Sequence, residues 1–168
     1  EAARLWQDDA YTKDANLLLA NIKAREVADL PGLGKMLLPG PFGFAQPDHL
    51  WHLNPSYLPV PVLRRLAGVD PQGPWNEIAR STGSLMQRAA KHGFVADWVG
   101  YRGTGPGSGL FIVDPMKGEL GSYDAIRTYL WAGLTPNSDP LAKPILDSLD
   151  GMSVSYTHLR AHETGRNL

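Results

Sequence analysis

Cysteine is absent from all 168 residues, so no disulfide braces the fold and no thiol serves as nucleophile or metal ligand. A surplus of charge is missing too: 16 Lys and Arg stand against 17 Asp and Glu, a formal charge of −1. The basic residues are scattered among the acids, which removes the electrostatic case for nucleic acid or an anionic membrane as partner. No apolar run approaches the roughly 18 residues of a membrane-spanning helix. The glycine-rich run Gly103–Gly109 lacks a Gly-Lys-Ser/Thr ending and no helix follows it directly, so it is not a phosphate loop. His158, His162 and Glu163 have metal-ligating side chains, but their order differs from His-Glu-x-x-His and no further ligand is near, so no metal is expected. His49, His52 and His92 fall beside loops or helix ends, as solvated or capping residues do.

What is present is apolar content, glycine and proline. Hydrophobic residues make up 43% of the chain, enough for a core, and 18 Gly and 14 Pro imply long loops between helices. Helical spacing over 13–28, with Thr12 as cap, gathers leucines on one face. From Asp29 to Leu53 helix is excluded, with short strands expected at Lys35–Leu38 and Phe42–Ala45 across Pro39-Gly40-Pro41. Asn54 caps a helix that starts at Pro55 and runs with some distortion to Leu66. A helix over 75–91 turns Trp75, Ile78, Leu85 and Met86 inward and stops at Gly93. The segment 103–109 reads as a flexible excursion before a strand at Leu110–Val113, and a last helix covers about Pro140 to Leu149.

Chemistry concentrates at Tyr123-Asp124-Ala125-Ile126-Arg127, where a phenol, a carboxylate and a guanidinium share one helical turn after a glycine-bearing loop. With Ser122 as N-cap, Asp124 lies in the first turn, where the helix dipole favours a negative charge. Arg127, three residues on, can orient that carboxylate and shares a face with Tyr123. A structural Asp–Arg pair at a helix start would look the same. The aromatics supply a second indication, because flat rings pack against the C–H faces of sugars. Trp51, Tyr57, Trp98, Tyr101 and Tyr123 fall at loops or helix starts, where a groove is lined, whereas Trp6, Trp75 and Trp131 fall within helices and belong to the core. Asn54 can cap a helix, line the groove, or both. Asp97 either orients Arg102 or lines the groove.

Three motifs in order, Asn54-Pro55-Ser56-Tyr57-Leu58-Pro59, Gly93-Phe94-Val95-Ala96-Asp97-Trp98-Val99 and Ser122-Tyr123-Asp124-Ala125-Ile126-Arg127, resemble glycoside hydrolase family 8. The likeness is nearest to the periplasmic endoglucanases of bacterial cellulose-synthesis operons. Val27–Gly34, Met36–Gly40, Trp51 and Trp131-Ala132-Gly133 extend it from Leu5 to about Ser153. The resemblance implies an all-α chain, a partial (α/α)6 toroid of helical hairpins with long Gly/Pro-rich loops and short β-strands. It also implies an inverting endo-β-1,4-glucanase in which Asp124 is the general base, assisted by Tyr123 and Arg127, with Asn54, Tyr57, Trp98 and Trp51 binding the glucan. Chitosan, xylan and mixed-linkage glucan are the alternative substrates within the family, and the neutral charge balance argues against cationic chitosan. No cofactor is expected. The implied partner is a β-glucan, with a functional link to cellulose synthase machinery and a periplasmic or secreted location.

Inversion requires a second, protonated carboxyl group about 6.5–9.5 Å from the base. The resemblance places that acid upstream of residue 1, and Glu1 does not fit its pattern. Residues 1–153 are therefore expected to form part of a catalytic domain, inactive alone or only glucan-binding, with apolar edges exposed where further hairpins belong. Residues 154–168 resemble a translated adapter and are excluded from fold reasoning.

Overall fold

The computed structural model describes residues 1–151, so the residues from 154 onward, His158, His162 and Glu163 among them, lie outside the described part. Helices and strands alternate: α1 (Ala2–Trp6), α2 (Ala10–Arg25), β1 (Val27–Leu30), β2 (Gly34–Leu37), β3 (Ala45–Gln46), β4 (Leu50–Leu53), a 3₁₀ turn (Pro55–Tyr57) and α3 (Val60–Val69). Then follow α4 (Trp75–Ala89), β5 (Ala90–Lys91), β6 (Phe94–Val95), β7 (Val99–Gly105), β8 (Ser108–Val113), α5 (Tyr123–Leu134) and α6 (Ala142–Ser148). The fold is helix-rich, as expected, and carries more strand than the short β-strands anticipated. An antiparallel sheet of order β3-β4-β7-β8 and the hairpins β1-β2 and β5-β6 supply it; β2 and β8 fall near the strands expected at Lys35–Leu38 and Leu110–Val113, while β4, β6 and β7 take up expected loop and β5 an expected helix end.

The helix α4 is the central beam. Its apolar positions Trp75, Ile78, Ala79, Leu85 and Met86 recur at helical spacing and are all buried. Trp75, Ile78 and Leu85 pack with Leu30, Met36, Leu53, Leu58, Leu63, Val99 and Tyr101. Met86 instead joins Val60, Val95, Ala125, Ala132, Ile145 and Leu149. The beam thereby joins the sheet to α5 and α6. Consecutive helices pack as pairs, α3 on α4 and α5 on α6.

Several local expectations need correction. The first long helix ends at Arg25 because Val27–Leu30 pairs with Gly34–Leu37, and it buries no side chain; Leu17 is 65% exposed. Its cap position is Asp9, not Thr12. Phe42–Ala45 is not a strand paired with Lys35–Leu38; Ala45–Gln46 pairs with β4 instead. The helix expected from Pro55 breaks at Pro59 into the 3₁₀ turn and α3. The glycine run is no loose excursion but the tip of the β7-β8 hairpin, with Gly105 at φ 157° and Gly107 at φ 67°. Tyr101 is buried on β7 rather than lining a groove, and Trp6 is exposed rather than core.

Apolar edges are exposed as anticipated. Tyr123, Ile126, Leu130 and Leu134, spaced three or four apart, form one uncovered stripe on α5.

Candidate active site

Strand β4 delivers Asn54 to the start of the 3₁₀ turn, where Pro55 sets the backbone of the first turn position. The Asn54 side chain is 1% exposed, so each of its polar atoms needs a partner. Its Oδ1 accepts from the Ser56 amide at 3.0 Å and the Ser56 hydroxyl at 2.7 Å. Its Nδ2 donates to Asp124 Oδ2 at 2.7 Å. Only this orientation of the amide satisfies both sides, since the turn offers donors and the carboxylate offers acceptors.

Asp124, Arg127 and Trp131 lie on one stripe of α5 that faces the Asn54 turn. Arg127 Nη2 donates to Asp124 Oδ1 and, at 3.2 Å, to the Ser56 hydroxyl. Trp131 Nε1 donates to the Ser56 carbonyl at 2.9 Å, so this ring, expected in the core, fastens the helix to the site turn. Asp124 thus has one donor on each oxygen, and its side chain is still 23% exposed. A carboxylate offers about four acceptor positions, which leaves lone pairs on both oxygens open to water.

Aromatic rings continue the surface beside this clamp. The Arg127 guanidinium stands over Tyr57 at 5.8 Å, an arrangement that favours the cation. Tyr57 meets Trp98 edge-on at 6.5 Å, and Phe44 stacks on Trp98 with planes 4° apart at 5.9 Å. Asn54, Tyr57, Trp98, Asp124 and Arg127 are therefore brought together. Tyr123 is at the head of the same helix but 83% exposed, where it lines a cleft of about 630 Å³ with Phe94, Glu119, Ile126 and Tyr129. The ring beneath Arg127 is Tyr57, not Tyr123. Trp51 stands apart on the sheet, its ring tilted against His49 and Tyr101.

Two residues of the site had no role in the sequence reading. Phe44 and Ser56 carry no individual signal; Ser56 is visible only as part of the Asn-Pro-Ser-Tyr run. Asp97 neither pairs with Arg102, which binds Asp48, nor simply lines the groove. Its Oδ1 accepts from the Ser122 and Ala125 amides, each at 2.8 Å, and its Oδ2 from the Ser122 hydroxyl. Ser122 occupies the N-cap position of α5 without capping it; the cap comes from Asp97, across the loop. Burial pushes the Asp97 carboxyl up, but the hydroxyl, the two amides and the Arg127 charge outweigh it and hold the group below its usual value.

His52, expected to be solvated or capping, is buried and its Nδ1 lies 2.6 Å from Asp114 Oδ2. Asp114 also accepts from the Met116 and Lys117 amides, both at 2.9 Å. Burial acts to raise its carboxyl, and these partners, led by His52, more than reverse that. The pair ties β4, just before Asn54, to the turn after β8.

Comparison with known proteins matches this arrangement to a family. Residues 1–159 fit the profile of glycosyl hydrolases family 8. An endoglucanase of Pseudomonas fluorescens (strain SBW25) is 52% identical over 155 residues, 91% of this chain and 39% of that protein. An endoglucanase of Escherichia coli K12 is 39% identical over 153 residues, again 91% of this chain and 40% of the relative. The solved endo-1,4-D-glucanase of Vibrio fischeri superposes with a TM-score of 0.81 at 36% identity, covering 99% of this chain and 45% of that one. The chain thus spans about two fifths of the relatives it matches. With sequence and backbone in agreement across almost every described residue, the chain belongs to glycosyl hydrolase family 8.

Proposed function

We propose that this chain carries the general-base side of an inverting endo-β-1,4-glucanase site acting on cellulose-like glucan, within a fold completed as an (α/α)6 toroid. The observation that carries the reading is the Asp124 clamp. A carboxylate held by Arg127 on one oxygen and Asn54 on the other, yet open to solvent, is oriented to take a proton from an attacking water. The row Tyr57, Trp98, Phe44 beside it supplies flat apolar surface for sugar rings. Packed helix pairs and the likeness to solved family members support the toroid.

The general acid must hold its proton at working pH. Asp97, Asp114 and Asp139 are unsuited, since hydrogen-bond donors and charge hold all three below the usual carboxylate value. The acid in this proposal is the one that the family resemblance implies, outside residues 1–151. The resemblance to endoglucanases of cellulose-synthesis operons supports a periplasmic or secreted location, beside cellulose synthase machinery. Trp51 and Tyr123 are assigned to outlying parts of the glucan surface.

The test places this sequence in the matching stretch of the Pseudomonas fluorescens endoglucanase and measures reducing ends released from soluble cellulose. The hybrid is expected to hydrolyse it. Asp124→Asn should lower the rate by about 10²–10⁴-fold while cello-oligosaccharide binding persists. Undiminished turnover by that variant would remove Asp124 as the base.

A further inference from the structure

We propose that Asp97 is a positioning residue for the site: it fixes the start of α5, and through it the Asp124 carboxylate, in register with Trp98. This rests on the reading of Asp124 as general base.

Asp97 and Trp98 are neighbours on the connection between β6 and β7, and the two side chains serve different parts of one site. Trp98 joins the aromatic row. Asp97 accepts from the Ser122 amide, the Ser122 hydroxyl and the Ala125 amide, groups that flank Asp124 in the chain. The first amides of a helix have no partner within it, and here the one side chain placed to cap them locally, Ser122, is turned to Asp97 instead. The start of α5 is therefore held from across the loop.

Backbone packing makes the same junction rigid. Asp97 N donates to the Leu120 carbonyl at 2.9 Å. A Cβ on Gly121 would come within 2.8 Å of the Val95 carbonyl, so only glycine lets the two segments lie this close. Arg127, the partner of Asp124, also acts on Asp97 and helps hold its carboxyl ionised. One guanidinium thus acts on both the positioning carboxylate and the one read as general base.

The distinction from a plain stability role is a separation of kcat from KM. In the hybrid enzyme, Asp97→Ala frees the start of α5 and should lower kcat by about 10²-fold, the scale of a misplaced catalytic group, with KM changed far less. Asp97→Asn keeps an acceptor oxygen for the two amides and should recover most of that loss. In the 168-residue chain itself, amide exchange at Ser122 and Ala125 should accelerate in the Ala variant and stay slow in the Asn variant. Asp29→Ala, at an exposed ion pair with Lys35, serves as control and should leave kcat unchanged.

Wild-type kcat in Asp97→Ala, or an Asn variant as impaired as the Ala variant, overturns the proposal. A fall in activity matched by loss of glucan binding and of the unfolding transition also overturns it, as the role is then structural only. If Asp124→Asn remains active, the general-base reading has failed; if that variant is inactive and Asp97→Ala is not, the failure belongs to Asp97 alone.

Discussion

At Asn54 one side-chain amide meets two opposite demands. Its oxygen faces the donors of Ser56 and its nitrogen faces the carboxylate of Asp124, with the group almost fully buried between them. Asn54→Asp separates the two roles. The new carboxylate can still accept from Ser56, so the turn keeps its cap, but it sets a second oxygen 2.7 Å from Asp124 Oδ2 where a donor stood. Two carboxylates at that range share a proton and cannot both be ionised. Hydrolysis by the hybrid enzyme at neutral pH is expected to fall by about 10²-fold, the usual scale for impairing a general base, with the unfolding midpoint little changed. Comparing initial rates with thermal unfolding checks both parts. The sequence showed that Asn54 could be a cap, a groove residue or both; the structure shows the cap, and burial sets the side chain behind Asp124, which it holds, rather than in the groove. It showed Asp124 with Arg127 because a spacing of three is local. It could not show that the anion at the α5 amides is Asp97, because that contact spans 25 residues of loop and sheet.

The same division between local and distant information holds for whole elements. A helix such as α4 announces itself, since burial on one face imposes a 3.6-residue period on its own sequence. The β7-β8 hairpin does not, because its glycines look like flexibility until the partner that requires them is known. Gly109 is the clearest case. It faces Tyr101, and a Cβ there would lie 2.6 Å from the Tyr101 hydroxyl oxygen, the group that donates to the Pro31 carbonyl at 2.6 Å. Tyr101 is buried with the core, so the ring has nowhere to move. Gly109→Ala is therefore expected to break the link between the hairpin and the β1-β2 turn and to destabilise the chain by about 1–3 kcal/mol, the range for overpacking a filled site. Urea unfolding of the variant measures this, and a midpoint equal to the parent's would refute the account. The Pro55 helix illustrates the reverse error. Local rules allowed a distorted helix through Pro59, but the Asn54–Asp124 contact fixes the turn separately and the chain restarts at Val60.

At the scale of the molecule, four of the described carboxylates that tie distant elements share one property. Asp70 joins the end of α3 to Lys23 on α2 and to the Trp75 indole of α4. Asp97 joins the β6-β7 connection to α5, Asp114 joins the turn after β8 to His52 on β4, and Asp139 joins the loop before α6 to Arg64 on α3. All four are held below their ordinary value: Asp70 by Lys23 and then Trp75, Asp139 by Arg64, Asp97 and Asp114 by hydrogen-bond donors that outweigh burial. The sign follows from proton linkage. The unfolded chain takes up these protons near an ordinary Asp value of about 3.9, while the folded chain resists them to lower pH. Stability from the four groups is therefore fully present above that value and is lost as pH falls through the folded ones. The urea midpoint should hold steady from neutral pH to about 5 and drop steeply below about 4. Asp139→Asn should lower the midpoint at pH 7, where the charged partner of Arg64 is lost, and flatten the drop, since one proton-linked group has been removed. A variant that is weaker at neutral pH but just as acid-sensitive as the parent would show that the Arg64 pair contributes nothing to the pH dependence.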